Sequence, residues 1–388
     1  MAVLAAAILL TFSGCKDNVS TNDTPGTNEP ETTASVENTS PVNDSIRDIS
    51  SVELVKEIKV GWSLGNTLDA YNSAAGHQDV TSETCWGNPV TTKEMITTVK
   101  NAGFNIIRIP VTWGNHMDEN NTVDEEWMNR VQEVVDYAYS QDMFVILNIH
   151  HEEWHDPYYE TADASIEKLK ALWTQIGNRF ENYDEHLIFE GLNEPRKRNT
   201  PLEWNGGDKE GHDVVNQYNA AFVETIRGLG GNNPKRHLML PTYAAATTSS
   251  ALNDYVMPEG DDKLIVSVHA YTPYGFALSD NLDDRSFTPD EGNAADILYL
   301  LDELKTRFTD NGIPVIIGEF GARSKGNVAD RTAWAEYYVR KATEVGIPCL
   351  WWDNGAFIGD GENFGLLDRK SNVWKFQEIV LGLMNGLE

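Results

Sequence analysis

Eight short runs rich in Val, Ile, Leu and Phe alternate with eight longer stretches of helical periodicity, and this alternation constrains the fold most. The runs are Lys59–Leu64, Asn105–Val111, Met143–Ile149, Leu187–Gly191, His237–Leu240, Leu264–Val268, Pro314–Ile317 and Pro348–Trp352. They are β-rich and mostly uninterrupted by charge, as strands buried on both faces must be. Between them lie Thr92–Asn101, Asp124–Ser140, Ser165–Asn182, Val214–Leu229, Ser249–Tyr255, Ala294–Asp310 and Val328–Val345, with Val373–Leu387 closing the chain. Gly103, Gly230, Gly312 and Gly346 stand where helix C-caps are wanted, just ahead of the next run. Strict succession of strand and helix predicts an α/β fold, a single (β/α)8 TIM barrel over residues 45–388. A doubly wound open sheet shares that succession, but no Gly-rich phosphate loop follows any run.

Ahead of the barrel the chain reads differently. Residues 2–12 are apolar, too short to span a bilayer and of the right length for the core of a signal peptide, although no Lys or Arg precedes them. Ser13-Gly14-Cys15 resembles the lipobox of bacterial lipoproteins, and Lys16-Asp17-Asn18 resembles the short acidic tag that sends some of them to the cell surface. Residues 16–44 are Asn, Thr, Ser, Pro and Glu with almost no large apolar side chain. Such a segment cannot offset its ordering entropy by burial. The expectation is a signal peptide over 1–15, a disordered linker over 16–44, a lipid anchor through Cys15, and a monomer placed extracellularly or on the outer membrane.

Charge narrows the partners. With 30 Lys and Arg against 60 Asp and Glu the formal net charge is −30. That argues against nucleic acid and anionic membrane surfaces, which need clustered cations. A neutral ligand fits better. Three Cys are too few for a disulfide scaffold, and nothing in the sequence sets the geometry for Cys85 and Cys349 to pair.

In a barrel of this kind the chemistry gathers at the C-terminal strand ends. Two of the apolar runs end in carboxylic acids, at Asn193-Glu194-Pro195 and at Gly318-Glu319-Phe320. The second run ends near Arg108 with Trp113 beyond it, and the third ends in Asn148-Ile-His150-His151-Glu-Glu-Trp154. The sixth gives His269 and Tyr271, the eighth Trp351 and Trp352, and the first continues through Asn66. Each has a bland reading as an ion-pair partner or core residue. One ionisable, amide or aromatic group per strand end, all converging on one mouth, is costly unless used, and suits a cleft where rings stack on sugars.

These motifs together resemble glycoside hydrolase family 5, from about Val60 to Arg369. Gly61-Trp-Ser-Leu-Gly-Asn-Thr-Leu-Asp69, Cys85-Trp-Gly-Asn-Pro89 and Trp351-Trp-Asp-Asn-Gly355 look like its bacterial endoglucanase and xyloglucanase branch. The resemblance implies retaining hydrolysis of plant β-1,4-linked polysaccharides without a cofactor. It makes Glu194 the acid/base and Glu319 the nucleophile. Asn193 holds the sugar 2-hydroxyl, Arg108 lies beneath Glu319, Tyr271 lies beside it, and Trp352 is the stacking platform. His150, His151, His269, Asn66 and Trp113 complete the supporting and substrate-binding set. The substrate is a cellulose-type glucan, with xyloglucan or mixed-linkage glucan as the alternative.

Electrostatics suggests how two Glu take opposite roles. No cation adjoins Glu194 in its motif, so burial is expected to keep it protonated, while Arg108 and Tyr271 keep Glu319 ionised. The two carboxyl groups are expected to stand about 5–5.5 Å apart. Trp62, Trp86, Trp113, Trp154 and Trp204 are expected to line further subsites. One rival is a metal hydrolase built on His150, His151, His155, Glu152, Glu153 and Asp156, which the opposed faces of adjacent strand residues disfavour. The other is a non-catalytic glycan-binding lipoprotein, which leaves both Glu without a purpose.

Overall fold

Eight parallel strands close on themselves: β1 (Gly61–Leu64), β2 (Ile106–Ile109), β3 (Phe144–Asn148), β4 (Leu187–Glu190), β5 (Leu238–Pro241), β6 (Leu264–His269), β7 (Val315–Phe320) and β8 (Cys349–Asp353). The closing seam pairs β1 with β8. A helix follows each strand in turn: Lys93–Asn101, Glu125–Tyr139, Tyr159–Arg179, Lys209–Arg227, Ser249–Asn253, Asn293–Arg307, Val328–Glu344 and Gln377–Asn385. This is the (β/α)8 barrel. The computed structural model describes residues 45–388 apart from 290, 291 and 360. The signal peptide, Cys15 and the linker over 16–44 therefore lie outside the described residues.

Several boundaries differ from the sequence reading for local reasons. The fourth helix starts at Lys209 because the Asp208 side chain caps it, accepting from Gly211 N. The last helix starts only at Gln377, since Val373–Trp374 pairs antiparallel with Leu367–Asp368 instead. Gly103, Gly312 and Gly346 take the left-handed conformation of a C-cap, at φ +107°, +75° and +72°. At the remaining position it is Gly231, not Gly230, that does so. Strand β7 runs past Ile317 with a shift of register before Phe320, so Glu319 belongs to the strand itself.

Alternation along the strands separates two cores. Trp62, Ile107, Val145, Phe189, Val266, Ile317 and Trp351 belong to the outer one, packed beneath the helices. Ile106, Ile146, Ile188, Met239, Ile265, Ile316 and Leu350 form the inner one, closed from below by Leu54, Val55 and Ile58. Gly61 shares that layer, because a Cβ there would stand 2.3 Å from Leu350 Cγ. Two residues further along, on the same inward side, the composition changes to Ser63, Arg108, Asn148, Glu190, Ser267, Gly318 and Trp352. The barrel is greasy at its floor and polar one layer up. That step is where a site becomes possible.

The same alternation corrects part of the expected aromatic lining. Trp62 and Trp113 are fully buried in the outer core, not in the cleft. Trp62 donates through Nε1 to Asp353 Oδ2 (2.9 Å), and Trp113 through Nε1 to the carbonyl of Asn148 (2.9 Å). Trp204 is exposed, with the Arg196 guanidinium 4.1 Å over its ring. Cys349 is a free, buried thiol, so no Cys85–Cys349 bridge forms.

Candidate active site

Arg108 is fully buried in the polar layer, and its three guanidinium nitrogens each have a separate acceptor. Nε donates to Glu190 Oε2 (2.7 Å), one terminal nitrogen to Glu319 Oε1 (2.7 Å) and the other to Asn193 Oδ1 (2.6 Å). Burial works against the charge of Arg108, but Glu190 and Glu319 outweigh it and hold the guanidinium firmly protonated. Because Arg only donates, the Asn193 amide must turn its oxygen to Arg108, which leaves its N–H groups directed away from that contact.

Tyr271 completes the surroundings of Glu319, donating its hydroxyl to Oε2 at 2.8 Å. Each carboxylate oxygen thus accepts from a donor. Burial, and after it the Glu319 charge, push the Tyr271 hydroxyl well above the ordinary tyrosine range, so it stays a donor.

Glu194 lies above this layer and meets His269, whose Nδ1 stands 2.7 Å from Glu194 Oε1 and 3.6 Å from Glu319 Oε2. An oxygen of Glu194, an oxygen of Glu319 and a nitrogen of His269 all fall within 4.8 Å of one another. The expected electrostatics of Glu194 is overturned here. Burial would raise its pKa, but the His269 hydrogen bond and the charges of His269 and Arg196 outweigh burial and hold it below the usual carboxylate range. Arg196 approaches Glu194 Oε2 at 3.5 Å. Conversely, burial lowers His269, yet Glu319 and Glu194 more than offset this and raise it above the ordinary histidine range. Both shifts favour a His269 Nδ1–H that donates to Glu194 Oε1.

The remaining predicted residues divide. Trp352 faces the cleft, and its ring stacks on His150 at 5.6 Å with planes 5° apart. His150 is kept neutral chiefly by burial, with the positive neighbours His151, Arg108 and His269 adding to it. His151 meets His150 edge to face at 4.4 Å and is flanked by Tyr71 and Trp86. Asn66 sits in the left-handed turn after β1 at φ +56°, its N–H donating to Asp69. Among the described residues neither Asn66 nor Trp113 bonds through its side chain to Arg108, Asn193, Glu194 or Glu319, although Trp113 Nε1 reaches the Asn148 carbonyl.

The ground for setting a metal aside also changes. Strand β3 ends at Asn148, so strand alternation does not separate His150 from His151, and with Asp69 they offer donor atoms within 4.8 Å. Several of these donors are engaged otherwise, although both ring nitrogens of the buried His155 lack a hydrogen-bond partner among the described residues. Asp69 accepts from the backbone N–H groups of Asn66 and Thr67, and His150 Nδ1 lies 3.1 Å from Asn148 Nδ2. Glu152 accepts from the Trp113 and Gly114 N–H groups and from Trp154 Nε1, and Asp156 pairs with Arg198.

Two members of the site escaped the sequence reading, Glu190 and Ser267, along with the effect of Arg196 on Glu194. A signal for the first two exists. Each is a polar residue two positions beyond an inner-core Ile, inside an otherwise apolar strand.

Comparison with known proteins gives the cluster a context. Residues 68–357 match the family model "Cellulase (glycosyl hydrolase family 5)". The chain is 48% identical to Endoglucanase B of Neocallimastix patriciarum over 352 residues, which is 88% of this chain and 73% of that protein. It is 50% identical to Endoglucanase A of Clostridium longisporum over 341 residues, 87% of this chain and 66% of that one. Among solved structures, a GH5-4 broad specificity endoglucanase from Clostridium longisporum superposes with a TM-score of 0.85 at 48% identity, covering 88% of this chain and 99% of the other. The corresponding enzyme from Ruminococcus champanellensis, with bound cellotriose, gives 0.83 at 47% identity over 87% and 99%.

Proposed function

The chain belongs to the cellulases of glycosyl hydrolase family 5, and from that premise we propose that it cleaves internal β-1,4-glucosidic bonds by double displacement, with Glu319 as nucleophile and Glu194 as acid/base. The observation that carries the reading is that one oxygen of Glu194 and one oxygen of Glu319 lie within 4.8 Å of each other. Retaining pairs stand about 5–5.5 Å apart, whereas inverting pairs need roughly 6.5–9.5 Å to admit a water between acid and sugar.

In the first step a Glu319 oxygen bonds to the anomeric carbon of a sugar resting on Trp352. The glycosidic C–O bond breaks, and its oxygen leaves with the proton held between Glu194 and His269. In the second step Glu194 takes a proton from water, the hydroxide bonds to the anomeric carbon, and the Glu319 ester bond breaks. Asn193, its oxygen held by Arg108, turns its N–H groups to the 2-hydroxyl. Arg108 and Tyr271 orient the attacking carboxylate and receive its charge back when the ester opens.

Assay on carboxymethylcellulose, barley mixed-linkage glucan, xyloglucan, mannan and xylan tests this directly. A rapid fall in viscosity, β-configured products at the first turnover, and activity unchanged by EDTA are expected. Release of monosaccharide alone from chain ends, activity confined to mannan, or α-configured first products would overturn it.

The acid/base pair makes a separate prediction about pH. Glu194 is lowered and His269 raised, so together they hold one proton until the pH passes the raised histidine value. The alkaline limb of kcat/KM is therefore expected above about 6.5, the ordinary value for histidine. In His269→Gln, burial still raises Glu194 and Arg196 still lowers it, and the limb belongs to a carboxyl group and moves to lower pH. A limb that stays in place in that variant removes His269 from the proton's path.

A further inference from the structure

Glu190 is a fully buried carboxylate beneath the catalytic pair that the cleavage steps do not use. It ends β4, four residues before Glu194, at 0% exposure. Each of its three hydrogen-bond partners among the described residues of the polar layer is a donor. Arg108 Nε donates to Oε2 at 2.7 Å, Asn148 Nδ2 to the same oxygen at 3.0 Å, and Ser267 Oγ to Oε1 at 2.6 Å. These donors come from β2, β3 and β6. On β7, Gly318 lies beside both groups, and a Cβ there would stand 3.5 Å from Glu190 Oε1 and 3.3 Å from His269 Nε2.

Stability does not account for such a group. A buried ion pair is often neutral or unfavourable against an apolar pair of the same size, because desolvation offsets the attraction. What the arrangement does secure is aim. With Nε held by Glu190, and Glu190 held in turn by Ser267, the planar guanidinium of Arg108 cannot rotate, and its two terminal nitrogens point at Glu319 and Asn193. The second arm runs from Glu190 through Asn148 Nδ2 to His150 Nδ1, and His150 is the ring stacked on Trp352. One carboxylate thus stands behind the nucleophile, the 2-hydroxyl contact and the platform.

We infer that Glu190 is a positioning residue of the cleavage step, acting through Arg108 and Asn148 and never touching the sugar. The inference rests on the proposed double displacement, in which Glu319 becomes covalently glycosylated.

The test uses Glu190→Gln in the full chain. Its amide oxygen can still accept from Arg108 and Asn148, and its N–H group can donate to Ser267, whose hydroxyl then reverses. The charge-assisted hold on Arg108 is lost, while shape is kept. Three readouts are taken: melting temperature, KM and kcat on a soluble glucan, and the rate at which dinitrophenyl 2-deoxy-2-fluoro-β-cellobioside labels Glu319. That reagent needs no protonation, so the labelling rate reads the nucleophile's aim alone. The expected result is a melting temperature and KM close to wild type, with kcat and labelling rate both reduced about 10²-fold. Labelling at the wild-type rate, or a loss that appears only in KM, would overturn the inference. Ser267→Ala, which removes one restraint and no charge, covers the case in which the Gln variant does not fold. It is expected to label about 5- to 10-fold more slowly at unchanged KM, and a wild-type rate there also overturns the role. Wild-type protein that cleaves glucan yet is never labelled at Glu319 would refute the double displacement first, and the role of Glu190 with it.

Discussion

Glu319→Ala is expected to lose glucan turnover by a factor of about 10⁵ or more, the scale on which removing a nucleophile disables an enzyme that depends on it. The fold is expected to survive. Glu319 sits in the polar layer, and its loss leaves Arg108 paired with Glu190 and bonded to Asn193, so no unpaired buried charge results. The space left by the carboxylate gives the experiment its second half. A small anion such as azide can enter beside Arg108 and Tyr271 and attack the anomeric carbon from the same side. Only one displacement then occurs, and the glycosyl azide carries the inverted configuration. Product analysis by NMR reads both results. Residual turnover within a factor of about ten of wild type would remove Glu319 from the nucleophile's role.

Glu194→Ala separates the two steps. On glucan, whose leaving group is a sugar hydroxyl, loss of the acid is expected to cost about 10²–10⁴ in kcat/KM, the usual reach of general acid catalysis. A dinitrophenyl cellobioside needs no proton on its leaving oxygen, so its first step is spared. The ester at Glu319 then accumulates, because nothing takes the proton from the attacking water. Stopped-flow measurement is expected to show a burst of dinitrophenolate equal to the enzyme present, followed by slow turnover. Equal losses on both substrates, with no burst, would mean that Glu194 acts by binding and not by proton transfer. His269 adds a condition. The alanine variant leaves His269 Nδ1 without the Glu194 carboxylate it faces, so the relay of its proton to the leaving oxygen is broken.

How much of this was legible beforehand depends on the range over which each property is set. The barrel was, because strand and helix periodicities are local and repeat eight times along the chain. So was the place of Glu194 and Glu319, since a carboxylic acid in or after an apolar strand stands out against it. The direction of each tryptophan was not. Trp351 and Trp352 are neighbours of the same type, and only the register of β8 against β1 sends one outward into the helical shell and the other into the cleft. The protonation of Glu194 was not legible either. Arg196 stands two residues further on, but His269, 75 residues away, bonds to Glu194 as well, just as Arg108 reaches Glu319 across 211 residues. A pKa is set by charges within a few ångströms, and closing the barrel is what brings those charges there. Glu190 is the sharpest instance. In the sequence it is one more acid among 60 Asp and Glu, and it becomes the hinge of the polar layer only where β2, β3 and β6 turn a donor toward it.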